Sequence, residues 1–457
     1  MKNSVEESQL HRGLEQRHIT LMSLGAAIGV GLFLGSADAI KLAGPSILLA
    51  YALGGLVIYI IMRALGEMAI KNPVAGSFSR YARDYIGPLA GFITGWNYWF
   101  LWIVTCMAEI TAAGIYMQFW FPGTPQWAWA LGALIIMASV NFLAVKAYGE
   151  LEFWFALIKV VTIIFMIILG LGIILFGIGN GGVAIGFGNL FEHGGFFPNG
   201  FSGLLMSFQM VMFAYLGVEM LGITAGEVKD PKKALSRAID TVFWRILIFY
   251  VLSLTVIMSI YPWDEISPKQ SPFVMTFEQI GIKEAAGIIN FVVLTAALSS
   301  CNSGIFSTAR MLFNLAQQNE APKSFGRTTK RGIPGIAIIA SAVALLIGVY
   351  LNYIVSEKVF VWVTSIATFG AIWTWATILI SHLRYRGKMT KEEKKRLEYK
   401  MPWFPLSSYF ALAFLALVVV LLAFSKNTII ALIVGPIWII LLVACYYGFR
   451  LNKKVSK

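Results

Sequence analysis

At residues 25–33 the chain reads Gly25-Ala26-Ala27-Ile28-Gly29-Val30-Gly31-Leu32-Phe33, inside its first long apolar segment, residues 19–39. That segment has about the 20 residues that a helix needs to cross a bilayer once. Its three glycines weaken the helix where no water can replace a lost backbone hydrogen bond. Unwound backbone at this depth survives only where it is buried in protein or lines a cavity.

Two interpretations of this glycine-rich stretch are open. In the first, two half-helices end at one small space, where a helix N-terminus favours an anion and a helix C-terminus favours a cation. A free amino acid carries a carboxylate and an ammonium on the same carbon, so it fits such a space. In the second, Gly25 and Gly29 form a G-x-x-x-G pattern that only lets two helices pack closely.

The composition indicates a membrane protein. Of the 457 residues, 58% are apolar and only 13% are charged, with a mean hydropathy of +0.74. Soluble proteins carry about 25% charged residues. Cys106, Cys301 and Cys445 all fall in apolar segments, so we expect no disulfide framework. Residues 1–18 are polar and lack the apolar core of a cleavable signal peptide, and they predict an N-terminal tail.

Hydropathy predicts an all-α integral membrane protein with twelve spans. The spans, numbered one to twelve in this order, are residues 19–39, 45–65, 87–118, 126–147, 153–177, 202–225, 240–261, 284–313, 333–351, 358–383, 403–424 and 427–448. Spans three and eight are longer than one bilayer requires, which predicts that they tilt or extend beyond it. The connections are short, so we expect one membrane unit that ends in a tail at 449–457.

The basic residues predict the orientation. Of the 36 Lys and Arg, 30 fall on one side, in the two tails, in alternate loops or near the adjoining ends of spans, and Lys159 lies within span five. The opposite side has only Lys41, Lys269, Lys283, Lys358 and Lys426. This asymmetry follows the positive-inside rule and places both termini in the cytoplasm. The net charge of +13 therefore reflects topology and contact with anionic lipid, and we expect no nucleic-acid partner.

A second interrupted span lies five spans after the first. Span six reads Ser207-Phe208-Gln209-Met210-Val211-Met212-Phe213-Ala214-Tyr215-Leu216-Gly217-Val218-Glu219, and Gly222 and Gly226 follow. The odd offset means that two five-span units cross the membrane in opposite directions, which predicts an inverted repeat. Glycine-interrupted spans at matching positions in two halves indicate the binding site of a transporter. Transport is therefore favoured over packing alone.

Further motifs accompany the two interrupted stretches. They are Gly222-Ile223-Thr224-Ala225-Gly226-Glu227 with Asp230-Pro231, Gly66-Glu67-Met68, Gly95-Trp96-Asn97-Tyr98-Trp99 and Ile289-Asn290-Phe291-Val292-Val293-Leu294-Thr295-Ala296. On these residues the chain resembles the amino acid–polyamine–organocation superfamily. Within it, the chain looks like a bacterial amino acid permease of the amino acid transporter family, which includes proline and threonine permeases. The resemblance covers nearly the whole chain from about Arg12.

The resemblance implies the fold of a bacterial leucine transporter, with discontinuous helices 1 and 6. Residues 19–177 and 202–383 would be its two five-helix repeats, and residues 403–448 would add helices 11 and 12. It also implies proton-coupled uptake of an amino acid across the bacterial cytoplasmic membrane.

The resemblance further implies that the substrate binds between the two breaks. Backbone N–H groups would hold its carboxylate, carbonyl groups would take its ammonium, and Gly217 would let span six bend. The N–H groups are those near Gly29, Val30 and Gly31, and the carbonyls are those near Ala26, Ala27, Phe213 and Ala214. Phe213 would also close over the substrate as a gate. In the alternative, Phe213 is only an aromatic residue of the core or of the lipid-facing surface.

Lys159 is the coupling residue that the resemblance implies. Its ammonium would replace the sodium ion of sodium-driven relatives and bridge spans one, five and eight, where Ser299 and Ser300 would hold it. Burial disfavours the charged form of a lysine, so a buried lysine can exchange a proton during the transport cycle. In the alternative, Lys159 lies only about 9 Å into span five and extends to the interface.

Several acidic residues in or near apolar segments are open to more than one interpretation. Glu109 in span three could carry the proton, balance the substrate's ammonium or hydrogen-bond within the bundle. We expect Glu219 to tie span six to a neighbour as part of an inner gate, with plain structural hydrogen bonding as the alternative. We expect Glu150 and Glu152 to open span five, where acids suit a helix N-terminus.

Enzyme functions are disfavoured. The sequence has no H-E-x-x-H motif, no C-x-x-C pair and no G-x-x-x-x-G-K-[ST] loop, and we expect neither a cofactor nor a metal. An amino acid channel or sensor is a rival interpretation. The uncharged residues around the first break favour a neutral substrate, with threonine, serine, alanine or proline ahead of aromatic amino acids. Glu109 in the pocket would instead admit histidine or another cation; exchange and the oligomeric state stay open.

Overall fold

The computed structural model of the protein describes residues 28–72, 77–143, 145–178, 181–224, 231–279, 283–329, 332–449 and 451. These residues form helices and contain no β-strand, which confirms the predicted all-α class. Nine helical segments in this part of the chain are long and apolar enough to cross a membrane, and Gln126–Val140 and Gly200–Ala214 are shorter apolar helices. The count of twelve spans and the inverted repeat stay predictions.

The helices of the first half follow the predicted spans. Span one contains Val30–Phe33 and Gly35–Ala43, and span two is Ile47–Lys71 after a 3-10 turn at Gly44–Ser46. Ser77–Tyr85 lies in the next loop, before Pro88–Gln118 in span three, Gln126–Val140 in span four and Val145–Phe176 in span five. After the short helix Asn189–Glu192, span six is divided into Gly200–Ala214 and Met220–Thr224.

Span seven opens the second half as Pro231–Ile246, a π-helical stretch Leu247–Leu252, and Ser253–Ile260. A 3-10 turn at Trp263–Glu265 and the helix Pro272–Gln279 lead to Lys283–Gln317 in span eight. A 3-10 turn at Lys323–Gly326 precedes Gly335–Ile354 in span nine and Val359–Gly387 in span ten. The loop helix Lys391–Arg396 is followed by Leu406–Leu421 with its 3-10 extension Leu422–Phe424, and by Ile430–Gly448.

Spans three, eight and ten form the centre of the bundle. Span three packs against both of the others. In its most apolar 18-residue stretch 83% of the residues are buried, whereas in the corresponding stretch of span twelve only 22% are. The 31 residues of Pro88–Gln118 rise about 46 Å, more than the hydrocarbon thickness of about 30 Å. Polar side chains in these central spans are therefore surrounded by protein.

Span five begins earlier than the hydropathy indicates. Its helix starts at Val145, so Glu150 and Glu152 lie inside the helix rather than at its start. The prediction that these two acids open span five is wrong. Hydropathy marks only the apolar part of a helix, and here the helix continues through a polar turn because Glu152 is buried against span eight.

Glu67, from the Gly66-Glu67-Met68 motif, joins span two to span ten. Both of its carboxylate oxygens accept hydrogen bonds from the guanidinium of Arg386, one of them at 2.8 Å, and Oε2 also accepts from the Met401 N–H at 2.8 Å. The Nε2 atom of His382 lies 3.3 Å from Glu67 Oε1. Glu67, Arg386 and His382 are all buried. Such a two-pronged arginine–carboxylate pair is strong and geometrically specific.

Candidate functional site

The described helix of span one starts in the middle of the glycine-rich stretch. Ile28 and Gly29 form a bend, Gly29 is extended (φ −126°, ψ −162°), and the helix begins at Val30. The Gly29 carbonyl accepts hydrogen bonds from the next turn, so the N–H groups of Val30 and Gly31 lie in the first turn. Donors in that turn have no carbonyl partner within their own helix. Ala26 and Ala27 lie outside the described residues.

Span six is interrupted at Gly217. Its first helix ends at Ala214, residues 215–219 form turns, and the second helix begins at Met220. Gly217 has a φ of +99°, a backbone conformation that residues with a side chain rarely adopt. Glycine at this position therefore allows the chain to turn between the two helices.

The two breaks lie against each other. A Cβ atom on Gly31 would lie only 2.5 Å from the Cα atom of Ala214, and one on Gly29 would lie 3.1 Å from Oε1 of Glu109. Real Cβ atoms essentially never approach as closely as the first distance. The start of the helix in span one thus touches the end of the first helix in span six. Close packing therefore occurs at Gly31, whereas the G-x-x-x-G alternative stays a prediction because Gly25 lies outside the described residues.

Lys159 is buried and contacts the first break. Its ammonium donates a hydrogen bond to the Ile28 carbonyl at 3.2 Å, and only 1% of the residue is exposed. It lies 14 residues after Val145, which corresponds to about 21 Å along its helix. This burial excludes the alternative in which Lys159 extends to an interface. The carboxyl groups whose charges act on Lys159 are those of Glu152 and Glu109.

Glu109 lies on the other side of the same peptide segment. This buried side chain accepts hydrogen bonds from the Ser300 hydroxyl in span eight and from the Val30 N–H. Its Oε2 atom has no hydrogen-bond partner within the described chain. An ammonium at the Ile28 carbonyl and a carboxyl group at the Val30 N–H therefore enclose Gly29 between them.

Glu152 is a member of this cluster that the sequence interpretation missed. It accepts hydrogen bonds from Ser299 at 2.8 Å and from Asn302 at 2.6 Å, and Asn302 in turn accepts one from Asn141 at 2.8 Å. A signal was present, because Glu152 and Lys159 are seven residues apart and so lie on one face of a helix. Spans four, five and eight are joined through these contacts.

The two serines predicted to hold Lys159 bind the neighbouring carboxyl groups. Ser299 donates to Glu152, and Ser300 donates to Glu109. Adjacent residues on a helix point about 100° apart, so the two hydroxyls face different partners. The former sodium site, with Lys159 in place of the ion, stays a prediction.

Glu219 lies directly after the second break and is fully buried. It accepts hydrogen bonds from the Gly217 N–H at 3.2 Å, from the Tyr98 hydroxyl at 3.4 Å and from the Trp375 indole at 3.4 Å. These contacts tie span six to spans three and ten. All three donors are neutral groups. Whether this tie acts as an inner gate stays a prediction.

Tyr250 satisfies the last carbonyl of the first helix in span six. Its hydroxyl donates to the Ala214 carbonyl at 2.8 Å, and it lies in the π-helical stretch of span seven. Such π-bulges are rare and frequently occur at functional sites. The rings of Tyr51, Tyr215 and Tyr250 pack together, and Tyr215 donates to the Tyr51 carbonyl at 2.6 Å. No local sequence signal identified Tyr250.

A cavity of about 520 Å³ leads from the surface toward the breaks. Leu34, just beyond the first turn of span one, and Phe360 line it together with polar residues that include Asp38 and Lys269. Phe360 packs edge-to-face against Phe213, with ring centroids 6.4 Å apart. Phe213 is buried, which excludes the lipid-facing alternative. The predicted orientation places this cavity outside the cell.

Comparison with known proteins gives a consistent result along the whole chain. The sequence profile of the amino acid permease family matches residues 18–457. Three of the similar proteins, all from Bacillus subtilis (strain 168), illustrate this. The uncharacterized amino acid permease YtnA is 71% identical over 98% of this chain and 97% of that protein. The probable threonine/serine transporter YbxG is 50% identical over 98% of this chain and 97% of that protein. The amino-acid permease AapA is 49% identical over 97% of this chain and 96% of that protein.

Proposed function

Since this chain belongs to the amino acid permease family, we propose that it takes up a neutral amino acid together with a proton. The family and the apolar helices indicate a multi-pass membrane protein that acts as a permease rather than as an enzyme. We place it in the bacterial cytoplasmic membrane with both termini inside. Its two inverted repeats are residues 19–177 and 202–383, followed by helices 11 and 12 at 403–448.

The observation that carries the proposal is the contact of the two breaks between buried charges. The N–H groups of Val30 and Gly31 open a helix, and the carbonyls of Phe213 and Ala214 close another, where Gly31 touches Ala214. A helix N-terminus attracts a carboxylate and a helix C-terminus attracts an ammonium. A free amino acid carries both groups on one carbon, so a single zwitterion engages both ends.

Glu109 couples a proton to this binding. Its carboxyl group accepts the Val30 N–H, which is the donor that the substrate carboxylate needs. A charged Glu109 competes with the substrate for that donor, whereas a protonated Glu109 is a weaker acceptor and releases it. Proton and substrate therefore bind together. Lys159 holds the Ile28 carbonyl on the opposite side, and its charge interacts with that of Glu109.

The membrane potential drives this cycle. A proton that crosses the membrane with a neutral zwitterion carries one net charge inward. The potential then adds about 2.3 kcal/mol per 100 mV to the accumulation of substrate. Phe213 and Glu219 act as gates on either side of the second break, with Gly217 as the bend between them.

The substrate is a small neutral amino acid, with threonine or serine ahead of alanine and proline. Support comes from the uncharged residues at the breaks and from the relative named as a probable threonine/serine transporter. A second candidate is a cationic amino acid such as histidine. It is favoured by Glu109 Oε2, which has no hydrogen-bond partner in the described residues and would accept a hydrogen bond from a cationic side chain.

The test is uptake into proteoliposomes that contain the full chain. Under an imposed inward proton gradient, we expect labelled threonine to accumulate above its external concentration, and a protonophore to abolish the accumulation. Unlabelled amino acids, all twenty in turn, then compete with the label to define the substrate. Flux that only equilibrates would indicate a channel, strict dependence on internal amino acid would indicate an exchanger, and saturable binding without flux would indicate a sensor.

A further inference from the structure

A groove of about 440 Å³ lies at the edge of the bundle, away from both breaks. It is bounded by the start of span three, the loop after span eight and span twelve from its middle at Trp438 to its end. Its walls are mostly apolar and aromatic, and they include Phe92, Trp96, Trp438, Leu442 and Phe449. The predicted orientation places all three boundaries on the cytoplasmic side of the membrane.

The rim of the groove is open to the surroundings of the bundle. Leu441 is 50% exposed and Phe449 is 71% exposed, and both line the groove. Span twelve is the least buried of the candidate spans, so in a membrane its outer side contacts lipid chains. A ligand can therefore enter this groove from the lipid bilayer.

Glu320 places a buried acceptor in these apolar surroundings. It lines the groove and is only 8% exposed. Its Oε1 atom accepts a hydrogen bond from Arg83, whereas Oε2 is buried and has no partner among the described residues. Burial raises the pKa of the Glu320 carboxyl, and the nearby Arg83 guanidinium opposes this shift and favours the charged form. A buried acceptor without a donor is rare in native structures, so we look for a ligand that supplies the missing donor.

Trp438 places a buried donor in the same groove. The Nε1 atom of Trp438 has no acceptor within the described chain, although the corresponding atom of Trp96 donates to the Glu320 carbonyl at 3.2 Å. The groove thus combines an unsatisfied carboxylate oxygen, an unsatisfied indole N–H and an apolar surface. A matching ligand carries an ammonium, an oxygen acceptor and a hydrocarbon chain.

We propose that this groove is a binding site for phosphatidylethanolamine. The primary ammonium of that lipid supplies donors for Glu320 Oε2, its phosphate and ester oxygens accept from Trp438, and an acyl chain packs along Leu441 and Leu442. Phosphatidylcholine has no hydrogen-bond donor in its head group. The hydroxyl donors of phosphatidylglycerol come with a net negative charge next to the Glu320 carboxylate, so phosphatidylethanolamine is the better match. The site is independent of substrate transport and goes beyond the function proposed above.

The test measures lipid contact by tryptophan quenching in the full chain. The protein is placed in phosphatidylcholine nanodiscs that contain an equal small fraction of either brominated phosphatidylethanolamine or brominated phosphatidylcholine. Trp96 and Trp438 line the groove, so we expect the ethanolamine lipid to quench more strongly. Because a hydrogen bond to a charged group is among the stronger ones, we expect a preference of about tenfold. Equal quenching by both lipids would overturn the proposal.

A variant and a matched control locate the effect. Glu320→Gln removes the charge and should abolish the preference, whereas Glu392→Gln, at an exposed position in the loop helix Lys391–Arg396, should keep it. A preference retained in Glu320→Gln would overturn the site. A second measurement needs no variant: successive methylation of the ethanolamine head group should weaken quenching stepwise as N–H donors are lost. No change along that series, or strongest quenching by brominated phosphatidylglycerol, would also overturn it.

Discussion

The start of the described helix in span one and the interruption of span six differ in the side chains that hold them. Charged side chains from other spans hold the break in span one, with Lys159 at the Ile28 carbonyl and Glu109 at the Val30 N–H. The break in span six is held by neutral donors, since Tyr250 binds the Ala214 carbonyl and the donors to Glu219 are all uncharged. Both Glu109 and Glu219 are carboxyl groups that can take up a proton, but the charge of a buried ammonium, that of Lys159, acts on Glu109 and has no counterpart among the described contacts of Glu219. We infer that span one moves with the proton while the first helix of span six serves as a fixed support.

The largest effect is expected from Lys159→Ala. Removing one partner from a buried charge cluster costs about 3–5 kcal/mol, so proton-driven accumulation should fall by roughly a hundredfold or more. Equilibrium binding of the substrate should fall much less, because Lys159 does not contact the substrate. Uptake and binding are measured on the same preparation, with the exposed Lys358→Ala as control. Unchanged pH-dependent uptake in Lys159→Ala would refute the coupling role.

Gly31→Ala tests whether the two breaks touch. The added methyl group would meet the Ala214 backbone, and overpacking of this kind costs about 1–3 kcal/mol, or a loss of substrate affinity of roughly fivefold to 150-fold. Gly132→Ala is the matched control, since a Cβ atom there meets nothing within 4 Å. Substrate binding by purified protein gives the result. Normal affinity in Gly31→Ala would show that the contact does not shape the site.

Glu109→Gln and Glu219→Gln make the same change at the two breaks. If one proton binds with the substrate, wild-type affinity should rise by up to about tenfold for each pH unit of acidification. Glutamine at position 109 resembles the protonated carboxyl group and should flatten this dependence, whereas glutamine at 219 should leave the slope intact. Binding isotherms between pH 6.5 and 9.5 separate the two. A slope lost in Glu219→Gln instead would reverse the assignment of mobile and fixed breaks.

Tyr250→Phe should have the smallest effect. It removes one hydrogen bond from the Ala214 carbonyl, which is worth about 1 kcal/mol, or roughly fivefold in affinity. The pH dependence should not change, because the lost donor is neutral. The exposed Tyr447→Phe serves as control in the same binding assay. An altered pH slope in Tyr250→Phe would mean that the second break also takes part in coupling.

Local chemistry made part of this site predictable from the sequence. Gly29, Gly31 and Gly217 stand out because glycine in an apolar span weakens a helix whatever its neighbours. Lys159 stands out because a lysine in such a span needs a partner. Family resemblance then assigned these residues a function, while the local pattern alone left packing open as an alternative.

The remaining contacts depend on tertiary packing. Glu152 meets Ser299 and Asn302, which are 147 and 150 residues away, and no local pattern encodes that pairing. The start of span five was misplaced because hydropathy does not register a polar helical turn that is buried in protein. Tyr250 was missed for a related reason: its hydroxyl acts on a carbonyl of another span, 36 residues earlier in the chain.

The pair formed by Glu67 and Arg386 limits how the protein can open. Pulling the ends of spans two and ten apart would strand two opposite charges in a dry interior, at a cost of several kcal/mol. Those two ends therefore travel as one piece throughout the cycle. The predicted orientation puts these two ends at the inner face. We infer that the substrate is released there by movement of spans one and six relative to the joined ends of spans two and ten.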